Sequence, residues 1–296
     1  MIDRDGLRAG ATTLLIGRRE FIWGSRTYVM GVLNVTPDSF SGDGTGDDLQ
    51  RAVEQALRFQ DEGADIIDIG GESSRPRSVS KDARPVPACE EAERVIPVIQ
   101  ALAGRMDLPI SIDTQKASVA RLAVEAGAAM VNDVSMFRAD PQMVAAVADL
   151  GVPVVISHTR PSAVYPAGVI HQVIEDLLCA AQAVESAGLP ATHVILDPGI
   201  GFRKTAAESI EMQRGLSKLV TRGYPVLIGA SRKSSIGEVL GLPADQRMEG
   251  TAATVALAIE RGVDIVRVHD VKEMVRVARM SDAIVRGWPQ PPVPGR

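Results

Sequence analysis

Polar residues close a series of apolar runs in this chain, and their chemistry is specific. Asp113 ends Ile110-Ser111-Ile112, Asn132 ends Met130-Val131, Asp197 ends Val194-Ile195-Leu196, and Lys233 lies just past the run at 225–229. Carboxylates, an amide and an ammonium together can satisfy a flat heterocycle with an amino-pyrimidinone edge. The carboxylates accept from ring N–H and exocyclic NH2 groups, while Asn or Lys donates to ring N or O. Buried groups of this kind need partners, so a ligand that supplies them binds selectively.

A second set is cationic and polar: Asn34, Arg75, Arg267 and His269, at the ends of the first, second and eighth candidate strands. If the first and eighth strands are neighbours, these groups ring one spot and suit an anion of the phosphate class. Each residue alone has a plainer reading. An Asp after a strand can be a helix N-cap, Asp197 before Pro-Gly a turn former, His269 a structural histidine and Arg232-Lys233 a solvated pair. The joint placement favours the site. His158 has no motif that forces it into the site and is left outside it. The acidic residues Asp38, Asp43, Asp47 and Asp48 do not match an EF-hand, no Cys/His set has zinc spacing, and no nucleophile signature is present.

The elements that would carry these groups form a regular series. Apolar runs at 28–33, 65–70, 109–113, 129–133, 152–157, 193–197, 225–229 and 263–269 read as eight strands. Helical spacing fills the intervals: Leu49, Val53 and Leu57 behind an Asp47-Asp48 cap, then 88–103, 116–126, 140–150, 170–187, 206–222, 248–261 and 271–286. Pro97 predicts a kink or a late start in the second helix. Gly63, Gly127, Gly151, Gly188, Gly223 and Gly262 each close a helix shortly before a strand. Strict alternation implies parallel pairing through crossovers, and at this length a (β/α)8 TIM barrel, with its site at the carboxyl ends of the strands. An open doubly wound sheet is the alternative, but no G-x-G-x-x-G follows the first strand. Residues 1–27 are read as a lead-in with a short hairpin that could plug the barrel bottom, 28–287 as one barrel and 288–296 as a loose tail.

Composition limits the partners. With 45% hydrophobic residues the 296-residue chain can bury a large core. A net charge of −5 and only 3% aromatics argue against nucleic acid. Two distant cysteines, Cys89 and Cys179, an N-terminus without signal-peptide form and no membrane-length apolar run predict a soluble cytoplasmic protein.

Here the motifs meet a family. Met30-Gly31-Val32-Leu33-Asn34-Val35-Thr36-Pro37-Asp38-Ser39-Phe40-Ser41 resembles the first dihydropteroate synthase signature, and Gly70-Gly71-Glu72-Ser73-Ser74-Arg75-Pro76 the second. Ser111-Ile112-Asp113-Thr114, Val131-Asn132-Asp133-Val134, Asp197-Pro198-Gly199-Ile200-Gly201-Phe202, Ser231-Arg232-Lys233-Ser234 and Arg267-Val268-His269-Asp270 follow in family order. The resemblance implies a pterin-binding TIM barrel of folate synthesis. Such an enzyme joins 6-hydroxymethyl-7,8-dihydropterin pyrophosphate to p-aminobenzoate by dissociative C–O cleavage. It further implies that Asp113, Asn132, Asp197 and Lys233 hold the pterin, and that Asn34, Arg75, Arg267 and His269 hold the pyrophosphate, with Mg2+ at Asn34. Ser74, Phe202, Lys233 and Ser234 would frame p-aminobenzoate. Catalysis would rest on Asn34, Asp113, Lys233, Arg267 and His269. A homodimer and sulfonamide inhibition are expected on the same ground. The alternatives are a methyltetrahydrofolate:corrinoid methyltransferase and a non-catalytic pterin-binding paralogue.

The sequence departs from the family pattern at four places. Ser74 replaces a threonine, Arg77 a glycine, Met136-Phe137 small residues, and Ser157 a methionine that packs the pterin. The Ser41–Gly46 loop is also unusually rich in glycine.

Overall fold

The computed structural model describes residues 12–36, 46–72 and 86–288. Thr13–Ile16 (β1) and Arg19–Ile22 (β2) pair antiparallel. The chain then alternates: Tyr28–Asn34 (β3), Gly46–Asp61 (α1), Ile66–Gly70 (β4), Ala88–Leu102 (α2), Ile110–Asp113 (β5), Ala117–Glu125 (α3), Met130–Asp133 (β6) and Met143–Leu150 (α4). Val154–Ser157 (β7), Val169–Ser186 (α5), Val194–Asp197 (β8), Ala206–Arg214 (α6), Leu216–Val220 (α7) and Leu227–Ile228 (β9) follow. Ser234–Leu240 (α8), Met248–Glu260 (α9), Ile265–Val268 (β10) and Val271–Arg286 (α10) complete it.

The eight later strands pair in parallel in the order β8-β7-β6-β5-β4-β3-β10-β9. A parallel bridge between Leu196 and Val226 joins the two ends of this sheet, so it closes into the expected TIM barrel. The first and last barrel strands are therefore neighbours, with Arg267 in register with Met30.

Side chains alternate across each strand. The residues facing the helices, such as Val29, Ile67, Ile69, Ile110, Ile112, Val131 and Val154, belong to one large apolar core. Those facing the barrel axis change character along its length. Tyr28, Met30, Ile66, Met130, Val155, Ile195, Leu227 and Ile265 form a second apolar cluster with Leu14, Ile16, Phe21 and Trp23 of the hairpin segment. The hairpin thus seals the amino end of the barrel. Two residues further along the same strands the inward positions become Asp68, Ser111, Asn132, Ser157, Asp197 and Arg267. Apolar residues fill the bottom and polar ones crown the top, because each strand keeps its period of two while its sequence turns polar at the carboxyl end.

Some expected boundaries move. α2 begins at Ala88 and runs through Pro97, so the proline neither delays nor ends it. α1 starts at Gly46, which puts Asp47 and Asp48 in its first turn rather than before it. The helix expected at 206–222 divides into α6 and α7 at Gly215, where a Cβ would come within 2.6 Å of Ile170 Cδ1. α8, seven residues long, has no counterpart among the expected helices. All six glycines expected to close helices take positive φ.

Candidate active site

The strand tips gather into one mouth. Asp68, fully buried on β4, accepts from Arg267 Nε at 2.6 Å and from Asn132 Nδ2 at 3.0 Å through the same oxygen. Arg267 Nη2 donates to Asp113 Oδ2, also at 2.6 Å. Burial works against the guanidinium charge, but Asp68 and Asp113 outweigh it and push the Arg267 pKa upward. Burial raises the Asp113 carboxyl to about 7 even though Arg267 pulls it back. The other oxygens of this cluster, Asp68 Oδ1, Asn132 Oδ1 and Ser111 Oγ, are buried with no hydrogen-bond partner among the described residues.

Asp197, on the far side, is held differently. Its Oδ1 accepts from Gly199 N–H at 2.8 Å and its Oδ2 from Ser157 Oγ at 2.9 Å. Burial raises its pKa, while these two donors and Lys233 lower it. The turn-forming reading of Asp197 is therefore correct as far as it goes, since one oxygen does close the Pro198-Gly199 turn. Ser157, where the family pattern has methionine, contributes a hydroxyl to the carboxylate instead of a packing surface. Asp113 caps no helix, since α3 begins after Lys116 and the Asp113 carboxylate is taken by Arg267.

Lys233 precedes α8, and its ammonium sits 4.2 Å from the Phe202 ring centroid, a cation–π contact. Ser234 opens α8 and is exposed. His269 pairs its Nδ1 with Ser231 Oγ at 3.1 Å, and burial followed by Arg267 and Arg232 lowers its pKa to about 4. It is a neutral ring at physiological pH. Arg232 is not a solvated partner of Lys233; it forms a two-pronged ion pair with Asp270. Asn34 is half-buried at the end of β3, in register with Gly70, which pairs with Asp113. Ser74, Arg75 and Arg77 lie outside the described residues, as do Asp38, Asp43 and most of the Ser41–Gly46 loop.

Met136 and Phe137 adopt positive φ, 57° and 60°, which is why small residues suit these positions. Asp133 below them accepts from the Ser135 and Phe137 amides and holds this turn on the helix side of β6.

Four residues outside the expected set shape the site. Asp68 carries a sequence signal, an acid inside Ile66-Ile67-Asp68-Ile69. His158 and Lys204 carried none: His158 Nδ1 meets Lys204 Nζ at 3.0 Å, and its Nε2 meets Asp176 at 3.1 Å. Burial lowers the His158 pKa to about 3 and that of Lys204 to about 7. Ser157 is the fourth.

A closed parallel barrel with buried carboxylates, an amide and cations at its carboxyl rim is the architecture of a TIM-barrel enzyme with a polar site at that rim. The comparisons narrow this class. The family model described as pterin binding enzyme matches residues 30–269. A dihydropteroate synthase from Bacillus subtilis is 47% identical over 262 residues, covering 88% of this chain and 89% of the relative. Among solved structures, a dihydropteroate synthase from Clostridium difficile, determined in the presence of pteroic acid, superposes with a TM-score of 0.86 at 45% identity, covering 90% of this chain and 99% of that one. One from Xanthomonas albilineans, solved with 4-aminobenzoic acid, also gives 0.86 at 43% identity, with 93% and 98% covered. The chain belongs to the pterin-binding enzyme family, in its dihydropteroate synthase branch, and is a transferase of folate biosynthesis. Among the described residues no helix is long and apolar enough to cross a membrane.

Proposed function

We propose that the strand-tip mouth joins 6-hydroxymethyl-7,8-dihydropterin pyrophosphate to p-aminobenzoate, with the pterin on Asp113, Asn132, Asp197 and Lys233. The supporting observation is the pair of buried acceptors, Asp68 Oδ1 and Asn132 Oδ1, that lack a donor among the described residues. A ring N–H and an exocyclic amino group are donors of the right kind to relieve them. Asn132 spends one of its two amide N–H bonds on Asp68, while its oxygen has no donor among the described residues, so Asn132 offers the ligand an acceptor as well as the donor its type suggested.

Asn34, Arg75, Arg267 and His269 take the diphosphate in this reading. Cleavage of the C–O bond sends its electron pair to the pyrophosphate, where Arg267 neutralises the new charge. The cation left on the pterin methylene lies among the buried carboxylates Asp113 and Asp197, which stabilise it. The amine of p-aminobenzoate, framed by Ser74, Phe202, Lys233 and Ser234, then forms the C–N bond and loses a proton. No protein nucleophile is required; the chain holds two reactants in line.

Among the described residues no group of three or more His, Cys, Asp or Glu could hold a metal ion. The single amide oxygen of Asn34 fits Mg2+ held mainly by substrate oxygens, the usual arrangement for a cation that keeps few protein ligands. When bound there it would draw negative charge from the leaving diphosphate.

Titration calorimetry with the pterin pyrophosphate, with and without Mg2+, tests the binding half. Release of pyrophosphate and dihydropteroate on adding p-aminobenzoate tests turnover, and a competing sulfonamide should slow it. Binding without turnover would favour the non-catalytic paralogue, and methyl transfer to a corrinoid the other alternative. The homodimer is proposed on the exposed apolar residues Val239, Leu240 and Leu257 of α8 and α9, and sedimentation analysis decides it.

A further inference from the structure

The segment between β8 and α6 carries Phe202 into the mouth, and a buried lysine nitrogen, Lys204 Nζ, bonds to it there. Lys204 Nζ donates to Gly199 O at 3.0 Å, to Phe202 O at 3.3 Å and to His158 Nδ1 at 3.0 Å. Two loop carbonyls and the His158 ring converge on this one nitrogen. His158 is fully buried, and with Nδ1 accepting from Lys204 its Nε2 carries the proton and donates to Asp176 at 3.1 Å. Asp176 is itself held by Arg160 Nε at 2.9 Å. The brace therefore runs from α5 through His158 to the centre of the loop.

The ends of the loop are fixed independently. His158 N–H bonds to Asp197 O at 2.9 Å, and Thr205 with Glu208 forms a capping box at the start of α6. Between these points Gly199, Gly201 and Arg203 all take positive φ, a conformation with little intrinsic preference in Arg203. Gly201 N–H to Ser209 Oγ, Phe202 N–H to Gly199 O and Tyr165 Oη to Arg203 O help to hold this stretch, and Lys204 adds the link that ties the Gly199 and Phe202 carbonyls to His158.

We propose that Lys204, braced by His158 and Asp176, is a positioning residue that sets the Phe202 ring and with it the affinity for p-aminobenzoate, while pterin affinity depends on it little. The asymmetry follows from the contacts. Asp197 takes its hydrogen bonds from Ser157 Oγ and Gly199 N–H and feels Lys204 only through space, whereas the Phe202 carbonyl accepts from Lys204 directly. The inference rests on the reading that Phe202 frames p-aminobenzoate.

Three variants of the full-length enzyme test it: Lys204→Met, Asp176→Asn and Phe202→Ala. KM for p-aminobenzoate, Kd for the pterin pyrophosphate and thermal unfolding are measured for each. Lys204→Met should raise KM for p-aminobenzoate at least about tenfold, with pterin Kd within about threefold. Asp176→Asn, further from both ligands, should shift the same KM by about threefold, and it decides the matter if Lys204→Met does not fold. If Phe202→Ala raises that KM and neither brace variant does, the role of Lys204 is wrong. If Phe202→Ala leaves it unchanged, the p-aminobenzoate reading itself fails and takes the inference with it. Parallel changes in both substrates would reduce Lys204 to a general stabiliser and overturn the proposal.

Discussion

Arg267 and Asp113, 154 positions apart in the chain, meet across the barrel mouth in an ion pair of 2.6 Å. The residue expected to grip the leaving diphosphate thus holds a carboxylate expected to grip the pterin. The two halves of the site share one charge balance. Under the proposed assignment, a pterin that takes Asp113 would free an Arg267 N–H for the diphosphate, so that binding of one half would prepare the other.

This coupling has a pH signature. Burial lifts Asp113 to about 7, and its ionised form accepts with both oxygens and full charge, whereas the protonated form turns one of them into a donor. Pterin affinity should therefore weaken by up to about tenfold per unit as pH falls below 7. Asp113→Asn should flatten that slope and bind about a hundredfold more weakly at pH 8, as titration calorimetry at several pH values will show. The effect on folding has the opposite sign. The folded carboxyl keeps its proton above the usual 3.8, so its contribution to stability is greatest in acid and declines as pH rises towards 7.

Ser157 makes a smaller, related prediction. Its hydroxyl holds Asp197 Oδ2 and helps to keep that carboxyl ionised against burial. Ser157→Ala should raise the Asp197 pKa further and weaken pterin binding about fivefold near neutrality, an effect of about 1 kcal/mol. Raising the pH should recover most of the loss. A loss that persists at high pH would mean that Ser157 acts through shape and not through charge.

Lys233 faces both proposed ligands, with its ammonium over Phe202. Lys233→Ala should lower kcat/KM by about a hundredfold or more and weaken pterin binding. If steady-state kinetics and calorimetry both stay at wild-type values, the assignment of Lys233 is wrong.

The barrel was readable because each buried parallel strand is a short apolar run, and inward polar residues interrupt it only near its end. Asp113, Asn132 and Asp197 announce themselves by that interruption, as Asp68 does. The extra helix α8 was not, because its Val239 and Leu240 point to solvent and leave no amphipathic stripe against the core. Nor was the break at Gly215, which answers to Ile170 on another helix. Lys204 and His158 are 46 positions apart, and only the closed barrel brings their nitrogens together. Periodicity reports which face of a strand is buried, but not which buried polar group finds which.

Gly199 shows how tightly the site's floor is built. It has φ of 64°, and a Cβ there would stand 2.0 Å from His158 O, an impossible approach to backbone. Gly199→Ala must displace either the Asp197 turn or the β7 terminus. A cost of about 3–5 kcal/mol is expected, with pterin affinity lost in the protein that still folds. Denaturant unfolding and ligand titration of the same preparation check both. A variant with normal stability and binding would show that this turn can relax in a way its packing denies.

The hairpin end of the barrel gives the reverse prediction, stability without chemistry. Trp23 is 1% exposed and packs with Phe21, Tyr28 and the inward residues of the barrel floor, opposite the catalytic mouth. Asp282 reinforces this end by accepting from the Thr27 amide and hydroxyl, both at 2.8 Å. Trp23→Ala should cost about 3–5 kcal/mol, roughly a 10 °C fall in Tm for a chain of this size. At a temperature where the variant remains folded, kcat and both KM values should equal those of the wild type, because no strand tip has moved. A selective loss of turnover in well-folded Trp23→Ala would mean that the floor of the barrel transmits to its rim, contrary to the separation of apolar and polar layers seen along β4, β6, β7, β8 and β10.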